Sequence, residues 1–223
     1  LENNLIELEN VSLRYNLNRE ILNNVSLTIE PGGFYYVTGS SGAGKTSLLK
    51  LLFLSLKPSE GKLSVFGHDI SKISNYKKQL LRRRIGFVFQ DFRLLNHLTT
   101  YENIALPLRV RGENEMNYKK DVIELLKWVN LEHCIHLRPE VLSGGEKQRA
   151  AIARAVIGSP EIILADEPTG NVDPEIASRI LNLFLELNKL GTSIVIATHD
   201  TAIIKQIKKP VIELKNGKIK IQK

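Results

Sequence analysis

The chain has 223 residues, enough for one large domain or two small ones packed together, with a core that needs no staples. Its 43% hydrophobic and 25% charged residues exclude a disordered or low-complexity chain, and its one cysteine, Cys134, excludes an intrachain disulfide or a zinc cluster built of cysteines. Lys and Arg outnumber Asp and Glu by 31 to 24, a net charge of +7 that suits an anionic partner (nucleotide, nucleic acid or acidic lipid) without choosing among them.

The opening LENNLIELEN is polar and acidic, unlike a secretion signal. ENVSLRY and ILNNVSLTIE then alternate polar and apolar residues as half-buried strands do. FYYVT, Phe34 to Thr38, is a short apolar strand that runs into a glycine loop, and helical periodicity follows to about Leu56, where Pro58 stops it. The most apolar stretch, Leu48 to Leu56, is interrupted by Lys50 and too short to cross a bilayer, so a soluble intracellular protein with a reduced thiol is expected. IGFVF, Ile85 to Phe89, predicts another buried strand. A mostly helical region follows at about 91–142, where Tyr118, Val122, Leu125, Leu126 and Val129 repeat at helical spacing. EIILAD and SIVIATHD predict central strands, separated by a long helix from about Pro174 to Leu190. VIELKNGKIKIQ predicts a hairpin turning at Asn216-Gly217. Strands alternating with helices predict an α/β fold with a parallel core, and the alternating front and back ends predict an antiparallel addition. One continuous domain, 1–223, is expected.

GSSGAGKT fits the phosphate-loop pattern G-x-x-x-x-G-K-[ST], between a strand and a helix as that pattern demands. Gly39, Gly42 and Gly44 let backbone N–H groups turn inward around phosphate oxygens, and the next helix points its positive end at the same anion. The expected cradle is Gly39, Ser40, Ser41, Gly42, Ala43, Gly44, Lys45, Thr46 and Ser47. Lys45 can reach the terminal phosphates, and the Thr46 hydroxyl can ligate Mg²⁺. The plainer reading, a glycine turn capping a helix, fits this strand–loop–helix context poorly.

EIILADE complements the loop: Asp166, at a strand end, can hold Mg²⁺ through water, and Glu167 is expected to polarise the water that attacks the γ-phosphate. Alone, that Asp-Glu pair would equally suit a solvated turn. His199 ends the next strand, where open parallel sheets bind ligands. LSGGEKQR, Leu142 to Arg149, opens an alanine-rich helix and offers a second anion-receptive helix start, although Ser-x-x-Glu is also an ordinary capping box.

A phosphate loop, LSGGE, an aspartate–glutamate strand end and a terminal histidine, in that order, resemble the ATP-binding cassette (ABC) family over nearly the whole chain. The resemblance implies a P-loop NTPase fold with a core sheet, an antiparallel β region and a helical subdomain. It implies that Tyr15 stacks on adenine and that Gln90 senses Mg²⁺ and the attacking water. It also implies that Asn171 and Asp173 of GNVD lie in a loop crossing between subunits; Val172 departs from the leucine more usual there. Two copies would sandwich two ATP molecules, with the phosphate loop of one facing Ser143, Gly144, Gly145 and Glu146 of the other, so that ATP itself bridges the dimer.

DNA-repair members of the family usually carry long coiled coils or zinc modules between phosphate loop and signature, and none is expected here. The basic cluster Lys77, Lys78, Arg82, Arg83 and Arg84 suits a solvated helix face or an anionic inner leaflet, and no nucleic acid partner is expected. Little follows His199 except one helix and a hairpin, so no appended regulatory domain is expected. QDFRLLNHLTTYENIALPLRVRG and LADEPTGNVD resemble the short ATPases that serve four-span permeases. FGHDIS, LRRRIGFVFQDFRLL and ATHD are most similar to the FtsE family of cell-division ATPases, which pair with the membrane protein FtsX. That implies a peripheral protein on the cytoplasmic face of the bacterial inner membrane, transmitting ATP cycling through an FtsX-like permease to peptidoglycan hydrolases. Lipoprotein-release or macrolide-efflux ATPases share many of these strings, and a nucleotide-gated docking module with negligible hydrolysis is the alternative of a different class. The segment Phe92 to Leu108 is the expected permease contact.

Overall fold

The computed structural model describes residues 4–16, 19–170, 172 and 174–222. Asn171 and Asp173, expected in a subunit-crossing loop, lie outside the described residues.

Two sheets carry the fold. The front one is antiparallel, in the order β2 (Arg19–Ile29), β1 (Ile6–Asn16), β4 (Glu60–Val65), β5 (His68–Asp69). The six-stranded sheet contains β3 (Phe34–Thr38), β6 (Ile85–Val88), β7 (Ile162–Asp166), β8 (Ser193–Ala197) and the hairpin β9 (Val211–Lys215) and β10 (Lys218–Gln222), in the order β10-β9-β3-β8-β7-β6. Its neighbours from β9 to β6 pair in parallel, and only β10 runs antiparallel. Asn216 and Gly217 turn the hairpin with φ of 50° and 73°, the left-handed pair expected of Asn-Gly.

The central strands are apolar along nearly their whole length, with polar residues only at their ends, because both faces are covered. Val37, Ile162, Leu164, Val195 and Ala197 pack with α1 (Lys45–Leu52) and the antiparallel sheet. Tyr36, Ile163, Ala165, Ile194 and Ile196 pack on the other side with α3 (Thr100–Val110), α4 (Glu115–Trp128), α5 (Gly144–Val156) and α6 (Pro174–Lys189). In α4 the buried residues include Tyr118, Val122 and Leu126, the helical repeat read from the sequence. The short α2 (Asn75–Arg82) precedes β6, and α7 (Thr201–Gln206) follows β8. Among the described residues no helix is long and apolar enough to cross a membrane.

Two expectations are corrected. The first helix ends at Leu52 rather than near Leu56: Leu54 turns left-handed, with φ of 61°, and buries its side chain, while Phe53 packs 5.0 Å from the ring of Phe87. The basic cluster is not one solvated face. Lys78 is buried, Arg82 Nη2 donates to Leu54 O (2.9 Å), and Arg84 lies over the Phe66 ring while paired with Glu161. These guanidiniums tie α2 and β6 to their neighbours, which uses the charge locally.

Candidate active site

The phosphate loop leaves β3 with backbone angles that need glycine at two crowded points. Gly39 has φ of 152°, and a Cβ there would lie 2.5 Å from Leu214 O; Gly44 has φ of 106°, and its Cβ would lie 2.7 Å from Ile21 Cγ2. Gly44 is the N-cap of α1 and gives no side-chain cap, so the first-turn N–H groups have no side chain competing for them. Lys45 folds back over the loop, its Nζ donating to Gly39 O (2.9 Å) and Ser40 O (3.4 Å). The Thr46 hydroxyl donates to the Asp166 carboxylate at the end of β7. Burial raises the Asp166 pKa, and the Thr46 bond and the Lys45 charge oppose that rise. A hydroxyl and a buried carboxylate already in contact form an oxygen donor set that fits a hard cation such as Mg²⁺.

A cleft of about 690 Å³ collects Tyr15, Gly39, Ser40, Ser41, Gly42, Gly44, Lys45, Thr46, Ser47, Gln90, Asp166, Glu167 and His199. Tyr15, about half exposed, is hydrogen-bonded through its hydroxyl to Ser47 Oγ at 3.1 Å, which sets the ring at the mouth of the loop. Ala43 does not line the cleft: its side chain packs on the core between the sheets and its N–H donates to Ser40 O. Ile21 and Gly170 line it and were not foreseen. Strand alternation marks Ile21 as buried, but only the close approach of β2 to Gly44 brings it to the site. Gly170 carries no side-chain signal of its own.

Glu167 sits immediately after β7 with φ of 49°, a conformation that costs a non-glycine residue about 1–3 kcal/mol. Its N–H donates to Ala197 O (2.9 Å), and its own carbonyl accepts from Gly170 N, so the neighbouring strand end and the following turn hold it there. The result aims a largely buried carboxylate at His199, whose Nδ1 is 2.8 Å from Glu167 Oε1. Since a carboxylate only accepts, Nδ1 is the protonated ring nitrogen of this pair. β8 stops at Ala197, two residues short of the expected end, and His199 stands between that strand and Asp200, the N-cap of α7.

The signature residues lie outside this cleft. Ser143 caps α5, its Oγ accepting from Glu146 N, while Glu146 Oε2 accepts from Ser143 N (2.8 Å) and Ser143 Oγ (2.7 Å), a complete capping box. These bonds, with one to His133, hold the Glu146 carboxyl well below its ordinary range, at about 2. Ser143 and Gly144 are exposed at the helix tip. Further along α5, Arg154 Nη1 and Nη2 each donate at 2.6 Å, to Arg93 O and Phe92 O. They hold two consecutive left-handed residues, φ 60° and 49°, just after Gln90. One arginine thus links the signature helix to the glutamine loop, a tie the sequence did not disclose.

Residues 22–170 match the ABC transporter family model. The cell division ATP-binding protein FtsE of Streptococcus pneumoniae is 43% identical over 96% of this chain and 94% of its own length. The FtsE proteins of Bacillus subtilis and Escherichia coli are 42% and 41% identical over the same share of this chain, 93% and 96% of theirs. A dimeric ATP-binding cassette solved in a post-hydrolysis state with ADP and Pi superposes with a TM-score of 0.91 at 35% identity, covering 98% of both chains. With the loop, the strand-end acids and the signature in place, this chain belongs to the ABC transporter family as an ATP-binding, ATP-hydrolysing subunit, with the FtsE proteins among its relatives.

Proposed function

We propose that this chain is the ATPase subunit of an FtsEX-type cell-division complex. Two copies would clamp two ATP molecules, and the clamp would drive an FtsX-like membrane partner that regulates peptidoglycan hydrolysis. The observation that carries the reading is a division of labour. One cleft gathers Lys45, Thr46, Gln90, Asp166, Glu167 and His199, while the exposed tip of α5 at Ser143 lies outside it, available to another copy.

The roles follow from placement. Tyr15 stacks on the adenine, worth about 1–3 kcal/mol if it behaves as other base–aromatic contacts do. The loop N–H groups and Lys45, drawn off Gly39 O, hold the β- and γ-phosphates. Mg²⁺ would be held by Thr46 and Asp166, with Gln90 beside them, and would neutralise charge on the phosphate oxygens. Glu167 takes the proton of the attacking water, and His199, donating from Nδ1, fixes its carboxylate. Phosphate is released with ADP, and the loss of the γ-phosphate removes the bridge to Ser143 and Gly145 of the second copy.

The membrane partner docks beside the glutamine loop. A groove of about 340 Å³ there is lined by Phe53, Phe87, Phe89, Leu95, Pro107 and Val110, with Arg82, Arg83, Arg93, Arg111 and Arg154 around it. It takes in Leu95, Leu106 and Pro107 of the segment expected as the permease contact, and its chemistry suits an acidic, apolar-faced segment. A peripheral position on the cytoplasmic face follows from such docking. A pull-down from detergent-extracted membranes tests the reading: capture of an FtsX-like protein supports it, and capture of a lipoprotein-releasing or efflux permease overturns it.

A further inference from the structure

We propose that His133, Cys134 and Glu146 form a binding site for a borderline-soft divalent metal ion of the Zn²⁺ class, separate from the nucleotide cleft. The ligand atoms of the three residues lie within 4.8 Å of one another. His133 Nε2 is 2.8 Å and Cys134 Sγ 3.4 Å from Glu146 Oε1.

A tetrahedral zinc ion binds nitrogen at about 2.0–2.1 Å, carboxylate oxygen at about 2.0–2.2 Å and thiolate sulfur at about 2.3 Å, which places its ligands roughly 3.3–3.6 Å apart. The sulfur–oxygen separation already meets that spacing. The nitrogen–oxygen pair needs to open and the nitrogen–sulfur pair, within 4.8 Å, to settle at that spacing, and both follow from a movement of the exposed His133 ring. A mixed nitrogen, sulfur and oxygen set with three protein ligands leaves a fourth position for water, so bound metal would exchange readily.

The local fold brings these groups together for reasons the nucleotide site does not supply. Cys134 is the chain's one cysteine, is 1% exposed and packs in the core, yet its sulfur also reaches the Glu146 carboxylate. A thiol beside an imidazole and a carboxylate suits thiophilic metals rather than Mg²⁺, and the thiol gives up its proton to solvent when the ion binds. Glu146 divides its two oxygens: Oε2 caps Ser143, and Oε1 faces the histidine and the cysteine. A metal on Oε1 therefore leaves the cap of α5 in place and ties the single turn at Glu132–Cys134 to the first turn of the signature helix. The assignment stands on this geometry and not on the reading of the cleft.

The test is titration of untagged, metal-free full chain with Co²⁺ in absorbance. The expected result is a thiolate-to-cobalt charge-transfer band that saturates at one ion per chain, yields to Zn²⁺ and survives excess Mg²⁺. Cys134→Ser should abolish the band. His133→Ala, at an exposed position that leaves the fold and ATP binding unchanged, should weaken Co²⁺ binding at least about tenfold, as even outer partners of metal ligands do when removed. A wild-type titration without the thiolate band, or an affinity unchanged in His133→Ala, overturns the assignment.

Discussion

His199 Nδ1 and Glu167 Oε1 meet at 2.8 Å across the ends of two neighbouring parallel strands, β8 and β7. Neither side chain is near the other in sequence. The pair exists because Glu167 accepts a left-handed backbone held by Ala197 O, the last carbonyl of the strand that leads to the histidine. The carboxylate is thus positioned from both sides before any nucleotide arrives.

Glu167→Gln keeps the size and loses the base. Steady-state ATPase turnover should fall by about 10²–10⁴-fold with ATP affinity near wild type, and sizing in ATP should show a dimer that ADP does not support. Turnover within a few-fold of wild type would place the base elsewhere.

His199→Ala leaves Glu167 in its strained turn but without its orienting partner. The loss in kcat should be on the order of a hundredfold, the scale of a misplaced catalytic group, with little change in nucleotide affinity. Equal losses in kcat and ATP binding would mean that the histidine serves binding rather than orientation.

Much of this architecture was legible in the chain. The apolar runs of β7 and β8 marked central strands because burial on both faces leaves no alternation to hide them, and Asn216-Gly217 fixed the last hairpin. The loop glycines and the acids at the strand end fell in one cleft, as their chemistry required. The remainder depended on contacts distant in sequence. Ile21 reaches the site only because Gly44 lets β2 approach, and Arg154 crosses from α5 to carbonyls more than sixty residues away. Charge counting also misplaced the arginines near β6, since a cation that bonds a local carbonyl or covers a ring looks the same in sequence as a solvated one.

Glu146 gives the signature helix a pH signature. Its folded-state carboxyl is held at about 2, below the ordinary glutamate value of about 4.3, chiefly by the Ser143 hydroxyl and N–H. A depressed carboxyl stabilises fully above its unfolded pKa and loses that stabilisation as pH falls towards the folded value. In urea unfolding, the stability advantage of wild type over Glu146→Gln should therefore shrink steadily below about pH 4.5. A pH-independent difference would show that the capping bonds do not depend on the charge.

Arg93, inside the expected contact segment, and Arg109, just beyond its end, are separated by the fold. Arg93 lies 4.4 Å from the centre of the Phe89 ring and lines the groove beside Gln90, whereas Arg109 lines a different cleft with Tyr101 and Tyr118. Arg93→Glu should sharply reduce co-purification of the membrane partner, and Arg109→Glu should leave it unchanged, with ATP binding intact in both. Equal capture by the two variants would move the docking surface away from the groove.

A crystal structure of the Glu167→Gln chain with ATP and Mg²⁺ examines the shared site most directly. The expected arrangement is a two-fold dimer in which Ser143 Oγ and the Gly145 N–H of one copy hydrogen-bond the γ-phosphate of the ATP gripped by Lys45 of the other. ATP held in a single copy, with every Ser143 tip turned to solvent, would contradict it.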